Sequence, residues 1–112
     1  MDKYVKEVTA EEAGRLLKQN KDIITLDKRP KSEFNDRHIK KHHKKNNNLE
    51  HFENRLKQLD KSKPYLLYCR SGNRSGKSLD KMIKLGFTNI YHLTRGYNEW
   101  KELNKAGAVK SP

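Results

Sequence analysis

The chain has 112 residues, a formal net charge of +12 at pH 7 and 36% charged side chains, and Leu, Ile, Val and Phe supply only 23 positions. That is the length of one domain, spanning 1–112, with a core close to the level at which high charge predicts disorder. No apolar run approaches the roughly 18 residues needed to cross a bilayer, and no charged-then-apolar leader opens the chain, so neither a membrane protein nor a secreted precursor is expected. The single Cys69 excludes an internal disulfide and a multi-cysteine metal knuckle, and fits a reducing cytoplasm.

The first element signal is Thr9-Ala10-Glu11-Glu12, a capping box in which the Thr9 hydroxyl takes an orphan helix N–H and Glu12 reaches back three residues. Ala13, Leu16 and Leu17 continue this helix as an apolar stripe to Asn20. Ile23-Ile24-Thr25-Leu26 is short, β-branched and apolar, as a buried strand should be. Residues 37–48, RHIKKHHKKNNN, carry five basic side chains and no acidic one. Within them 40–48 has no apolar face at either period, and it reads as an exposed basic loop. Leu49, Phe52, Leu56 and Leu59, at steps of three and four, predict an amphipathic helix. Tyr65-Leu66-Leu67-Tyr68 after Pro64 predicts a second buried strand. A helix from about Ser75 to Leu85 follows, with Leu79, Met82 and Ile83 inward and Gly86 as its stop. Ile90 to Leu93 predicts a third strand, and Asn98 to Leu103 a last short helix carrying Trp100. Strands alternating with helices imply an α/β domain with a mostly parallel sheet covered on both faces.

The chemistry is concentrated in Tyr65–Ser78, YLLYCRSGNRSGKS, which reads as strand, glycine-containing loop and helix. In an open α/β sheet, ligands bind at the carboxyl ends of strands, where this loop must lie. Backbone N–H groups curling into a helix N-terminus form an anion nest, and Arg70 and Arg74 add positive charge. These effects favour the Cys69 thiolate over the thiol and make it a nucleophile at neutral pH. A free cysteine is more often a small buried hydrophobe, but a packed core would not accept the following Arg70, Ser71, Gly72, Asn73 and Arg74.

CRSGNRS resembles the active-site loop of rhodanese-like sulfurtransferases. Leu26-Asp27-Lys28-Arg29 with Glu33-Phe34 is similar to the family's aspartate–x–arginine and glutamate–phenylalanine signature, and His38-Ile39 to its histidine–isoleucine pair. Leu85–Tyr91 and Gly96-Tyr97-Asn98-Glu99-Trp100 resemble the segments that close the domain. The resemblance covers nearly the whole chain in the short single-domain form. It implies a three-layer fold with a central sheet of about 4–5 strands. It also implies a sulfurtransferase moving sulfane sulfur from thiosulfate or a similar donor anion to a thiol or cyanide acceptor through a persulfide on Cys69. The loop from Arg70 through Ser71, Gly72, Asn73 and Arg74 to Ser75 would bind the anion, with Asp27 and Arg29 in support. His38 would form a local hydrogen bond. No metal or organic cofactor is implied. Two departures stand out: KKHHKKNNN replaces the small and apolar residues that usually form a further strand, and Lys28 stands where members carry an apolar or small polar residue at the edge of the sheet. Both bear on stability more than on chemistry.

Other readings carry less. Gly72-Asn73-Arg74-Ser75-Gly76-Lys77-Ser78 falls one residue short of a nucleotide-binding phosphate loop. Cysteine-dependent phosphatases and arsenate reductases use a cysteine and an arginine separated by five residues, whereas Cys69 and Arg74 enclose four. Net charge alone would give unspecific adhesion to nucleic acid, but no aromatic platform interleaves with the basic run. A metal site at His38, His42 and His43 is opposed by their asparagine-rich flank. The rival from another class is a non-catalytic module that binds a partner protein or carries persulfide to it. Phe87, Tyr97 and Trp100 read as core.

Overall fold

The structure is a computed structural model that describes residues 3–29, 32–33, 39, 46–48 and 52–105. In chain order the elements are β1 (Val5–Val8), α1 (Ala10–Gln19), β2 (Ile24–Asp27), β3 (Asn46–Asn48), α2 (Phe52–Gln58), β4 (Tyr65–Tyr68), α3 (Asn73–Lys84), β5 (Ile90–Leu93) and α4 (Gly96–Lys105). The five strands form one sheet in the order β1-β5-β4-β2-β3, with every pairing parallel.

Alternation along the inner strands divides the core into two layers. Leu66 and Tyr68 of β4 and Leu93 of β5 pack with Ala13 and Leu17 of α1 and Trp100 of α4. Tyr65 and Leu67 of β4, Leu26 of β2 and Ile90 of β5 face the other way, onto Leu56 of α2 and Leu79 and Met82 of α3. All four residues of β4 are buried, which is why it reads as a continuous apolar run rather than an alternating one. Phe87 and Trp100 are buried as expected, and Tyr97 is half-buried against the first layer.

Two elements depart from the sequence reading. β1 was not foreseen, because Val5 and Val8 are three apart with Lys6 and Glu7 exposed between them; pairing with β5 makes this segment a strand. Asn46–Asn48, read as part of an exposed loop, is instead an edge strand. It is held by backbone pairing in the register Thr25↔Asn46, Leu26↔Asn47 and Asp27↔Asn48. Backbone ladder bonds do not depend on side-chain polarity, so three asparagines can occupy an edge position. Residues 40–45 of that reading lie outside the described residues, as do His38, His42, His43 and Phe34. The start of the helix foreseen from Leu49 is likewise outside them, and α2 is described from Phe52. With β3 beyond it, β2 is an inner strand, and the Lys28 N–H extends its pairing to β4 by donating to Tyr68 O at 2.8 Å.

Candidate active site

Cys69 is the first residue after β4, at the carboxyl end of the sheet, and is completely buried. The chain turns at once into α3, which begins at Asn73, so Asn73, Arg74 and Ser75 form a helix's first turn rather than part of a loop. Gly72 makes the turn possible with φ +100°, and a Cβ there would stand 1.9 Å from Thr94 O. Only glycine fits, both for its left-handed backbone and for the close pass against the strand-to-helix turn after β5. Gly96, with φ +68°, meets the same segment from the other side: a Cβ would lie 2.5 Å from both Cys69 O and Arg70 O. Those carbonyls are taken by the first amides of α4, Tyr97 N–H to Cys69 O at 2.8 Å and Asn98 N–H to Arg70 O at 3.0 Å. The loop is thus clamped on both sides by backbone.

Three donors converge on the sulfur. Gly72 N–H donates to Cys69 Sγ at 3.1 Å, Ser75 N–H at 3.3 Å and Ser75 Oγ at 3.3 Å. Burial pushes the Cys69 thiol up, but the Ser75 hydroxyl and then the amides of Ser75, Gly72 and Ser71 outweigh it, and the thiol lies below its ordinary value. Hydrogen bonds to the charged form are the dominant influence. The sequence reading assigned part of this effect to Arg70, which the structure places at the rim of the site. The Arg70 guanidinium pairs with Glu33, Nη2 to Oε2 at 2.9 Å, and is mostly exposed. Ser71 and Asn73 are exposed at the surface.

Asp27 and Arg29 come together on the α1–α4 side of the sheet. Arg29 donates Nη2–H to Asp27 Oδ2 at 2.7 Å and Nε–H to Oδ1 at 3.0 Å, and its own N–H bonds Asp27 Oδ1 at 2.8 Å. Burial weakens the Arg29 cation, while the hydrogen bonds and charge of Asp27 restore it and carry it above its ordinary value. The guanidinium lies over the Tyr97 ring at 4.3 Å and the Tyr68 ring at 5.7 Å. The pair thus lies against Tyr97, whose N–H donates to Cys69 O.

The sequence reading missed a line of polar groups behind Ser75. Ser75 Oγ is 2.7 Å from His92 Nε2, and His92 Nδ1 is 2.8 Å from Glu7 Oε1, which also accepts from Thr94 Oγ1 at 2.8 Å. Glu7 and His92 are opposite each other in the β1–β5 register. A lone histidine inside the apolar run Ile90–Leu93 was the available signal. Without β1 in view, it had no partner.

With this geometry in place, similarity to known proteins is informative. The sequence profile of the Rhodanese-like domain matches residues 9–103. The chain belongs to the rhodanese-like family. This rhodanese-like chain is 30% identical over 97 residues to the thiosulfate sulfurtransferase GlpE of Coxiella burnetii, covering 86% of this chain and 87% of that protein. It is 32% identical over 85 residues to the thiosulfate sulfurtransferase GlpE of Shewanella oneidensis, covering 75% and 81%. Its fold matches the rhodanese-like domain of the Alr3790 protein from Anabaena sp. with a TM-score of 0.72 at 20% identity, over 92% of this chain and 76% of that one. Family membership and these relatives support sulfurtransferase chemistry at the level of the family, on an α/β fold with a parallel sheet. No helix of the described residues is long and apolar enough to cross a membrane.

Proposed function

We propose that this rhodanese-like domain transfers sulfane sulfur through a persulfide on Cys69. The observation that carries the reading is the convergence of Gly72 N–H, Ser75 N–H and the Ser75 hydroxyl on one buried sulfur. In the first half-reaction the Cys69 thiolate attacks the outer sulfur of thiosulfate or a similar donor anion. The S–S bond of the donor breaks, sulfite leaves with the bonding pair, and Cys69 holds a persulfide anion. In the second, cyanide or a thiolate attacks the terminal sulfur and the Cys69 thiolate is released. The preorganised N–H donors serve both anions, since each carries its charge on sulfur near the start of α3. Arg70 and Arg74 are proposed to attract the donor anion, and Asp27 and Arg29 to brace the loop. The proposed location is the cytoplasm, where a free thiol stays reduced.

Intact mass after treatment with thiosulfate tests the proposal: a gain of one sulfur atom, removed by cyanide with formation of thiocyanate, is expected. Cys69→Ser should show neither, because a hydroxyl is far too basic to ionise at pH 7. Thiocyanate formation by that variant above a buffer blank, or faster release of phenol from an aryl phosphate than of thiocyanate by the unmodified protein, would overturn it. A protein that gains sulfur but does not turn over with a free acceptor would be a persulfide carrier for a partner protein.

A further inference from the structure

The line Cys69 Sγ, Ser75 Oγ, His92 Nε2, His92 Nδ1 and Glu7 Oε1 has successive separations of 3.3, 2.7 and 2.8 Å across its hydrogen bonds. The Ser75 hydroxyl has one proton, and it has three acceptors within reach: Cys69 Sγ at 3.3 Å, His92 Nε2 at 2.7 Å and Gly72 O at 3.4 Å. A carboxylate at Glu7 can only accept, so His92 Nδ1 carries a proton. If His92 has no second proton, Nε2 is an acceptor and the Ser75 hydroxyl serves the imidazole. The sulfur then loses its nearest side-chain donor. If His92 has both protons, Nε2–H donates to Ser75 Oγ, and the hydroxyl proton is free to serve the sulfur.

We propose that Ser75, His92 and Glu7 form a proton relay that ionises Cys69. The Cys69 S–H bond breaks as its proton passes to Ser75 Oγ, while the original Ser75 proton moves to His92 Nε2. The products are the Cys69 thiolate and a His92 imidazolium, with Glu7 the counter-charge at Nδ1. Nothing is oxidised or reduced, and no external base takes part. Reprotonation of the sulfur reverses the same two transfers.

The surroundings suit this role. His92 is buried, and its ring packs on the first turn of α3, where a Cβ at Gly76 would stand 3.7 Å from Cε1. The side chains hydrogen-bonded along the line are Glu7 from β1, His92 from β5, Thr94 beyond it, and Cys69 and Ser75 from the loop and α3. Glu7 is about half exposed, so its carboxylate stays solvated while its inner oxygen holds Nδ1 and the Thr94 hydroxyl. Arg70 is held apart by Glu33. An imidazole that takes the nucleophile's proton, braced by a carboxylate, is the arrangement by which buried nucleophiles are activated. Here a serine hydroxyl is interposed.

The inference rests on the Cys69 reading above, but its test requires no sulfur transfer. Because Cys69 is the only cysteine, protein grown with Cβ-labelled cysteine gives one cysteine resonance, and its shift against pH reports the thiolate without requiring reagent access. The side-chain nitrogen shifts of His92 report its protons. His92 Nε2 is expected to be protonated in the unmodified protein at a pH where it is not in Cys69→Ala. In Glu7→Gln, which keeps the size of a half-exposed side chain, the thiolate population at low occupancy should fall about tenfold at a given pH. His92→Gln should do the same, since an amide fills the place but takes no proton. If His92 has the same protons in the unmodified protein and in Cys69→Ala, or if the Cys69 titration is unchanged in Glu7→Gln, the relay is overturned. Failure of sulfur loading alongside a shifted titration would refute the sulfurtransferase reading and leave the relay standing.

Discussion

At the scale of single residues, the site depends on positions where almost no alternative fits. Gly72 combines a left-handed backbone with a 1.9 Å approach of its virtual Cβ to Thr94 O. Gly72→Ala must therefore shift backbone against backbone, and with it the Gly72 N–H that faces the sulfur. A displacement of about 1 Å can cost on the order of a hundredfold in rate. Gly72→Ala is expected to lose at least that much thiocyanate formation, and a variant with more than a tenth of the original rate would contradict the clamp. Asp27 illustrates a different constraint. Its carboxylate receives the buried Arg29 guanidinium and the Arg29 N–H, so Asp27→Ala leaves a cation in the interior without its main counter-charge. Breaking such a pair costs about 3–5 kcal/mol. Urea unfolding of Asp27→Ala should show a loss in that range, and a loss below about 1 kcal/mol would mean that Asp27 is not what holds the guanidinium in place.

At the scale of elements, legibility followed how far each element's signal was local. The capping box of α1 is present as read, with Glu12 N–H donating to Thr9 Oγ1 at 3.2 Å and Thr9 N–H to Glu12 Oε1 at 2.9 Å. The Thr9 backbone N–H, helped by the Thr9 hydroxyl, holds the Glu12 carboxyl below its ordinary value. Thr9→Ala should lower stability by about 1 kcal/mol in chemical unfolding, with the fold unchanged by circular dichroism. β4 and the loop after it were equally readable, because a fully apolar run ending in a cysteine and a polar turn carries its meaning within a dozen residues. β1 and β3 were not. Val5–Val8 is a strand because β5 pairs with it, and Asn46–Asn48 because β2 does, and neither fact is written in the segment itself. The same division runs through the site: Cys69 and its donors are neighbours in sequence, whereas Glu7 and His92 are 85 positions apart and meet only through sheet register. The pairing of Arg70 was illegible for a related reason, since its partner Glu33 lies 37 positions away.

At the scale of the whole molecule, ionisation and folding are linked. The folded Cys69 thiol lies below its ordinary value of 9.0. Above that value the thiol is ionised in the folded and unfolded chains alike, and its full contribution to stability is present. As the pH falls below it, the unfolded chain takes up a proton before the folded one does, and the contribution shrinks until the folded thiol is protonated too. The difference in melting temperature between the unmodified protein and Cys69→Ala should therefore grow as pH is raised towards 9 and level off above it. A difference that is flat across this window would show that the thiolate gains nothing from the fold.

The start of α3 gives this linkage a structural basis. Gly72, at its N-cap, provides no side-chain acceptor, and no acidic residue stands in the first turn. The Ser75 N–H, third in the helix, turns to Cys69 Sγ, the bond that a capping hydroxyl or carboxylate makes elsewhere. The proposed nucleophile is therefore also the stopper of a twelve-residue helix. In the proposed cycle each turnover pushes negative charge outward by one sulfur–sulfur bond and then draws it back, so the charge that faces the start of α3 moves with every sulfur transferred. In that cycle the atom to which the cargo sulfur is bonded is the one that closes the first turn of α3.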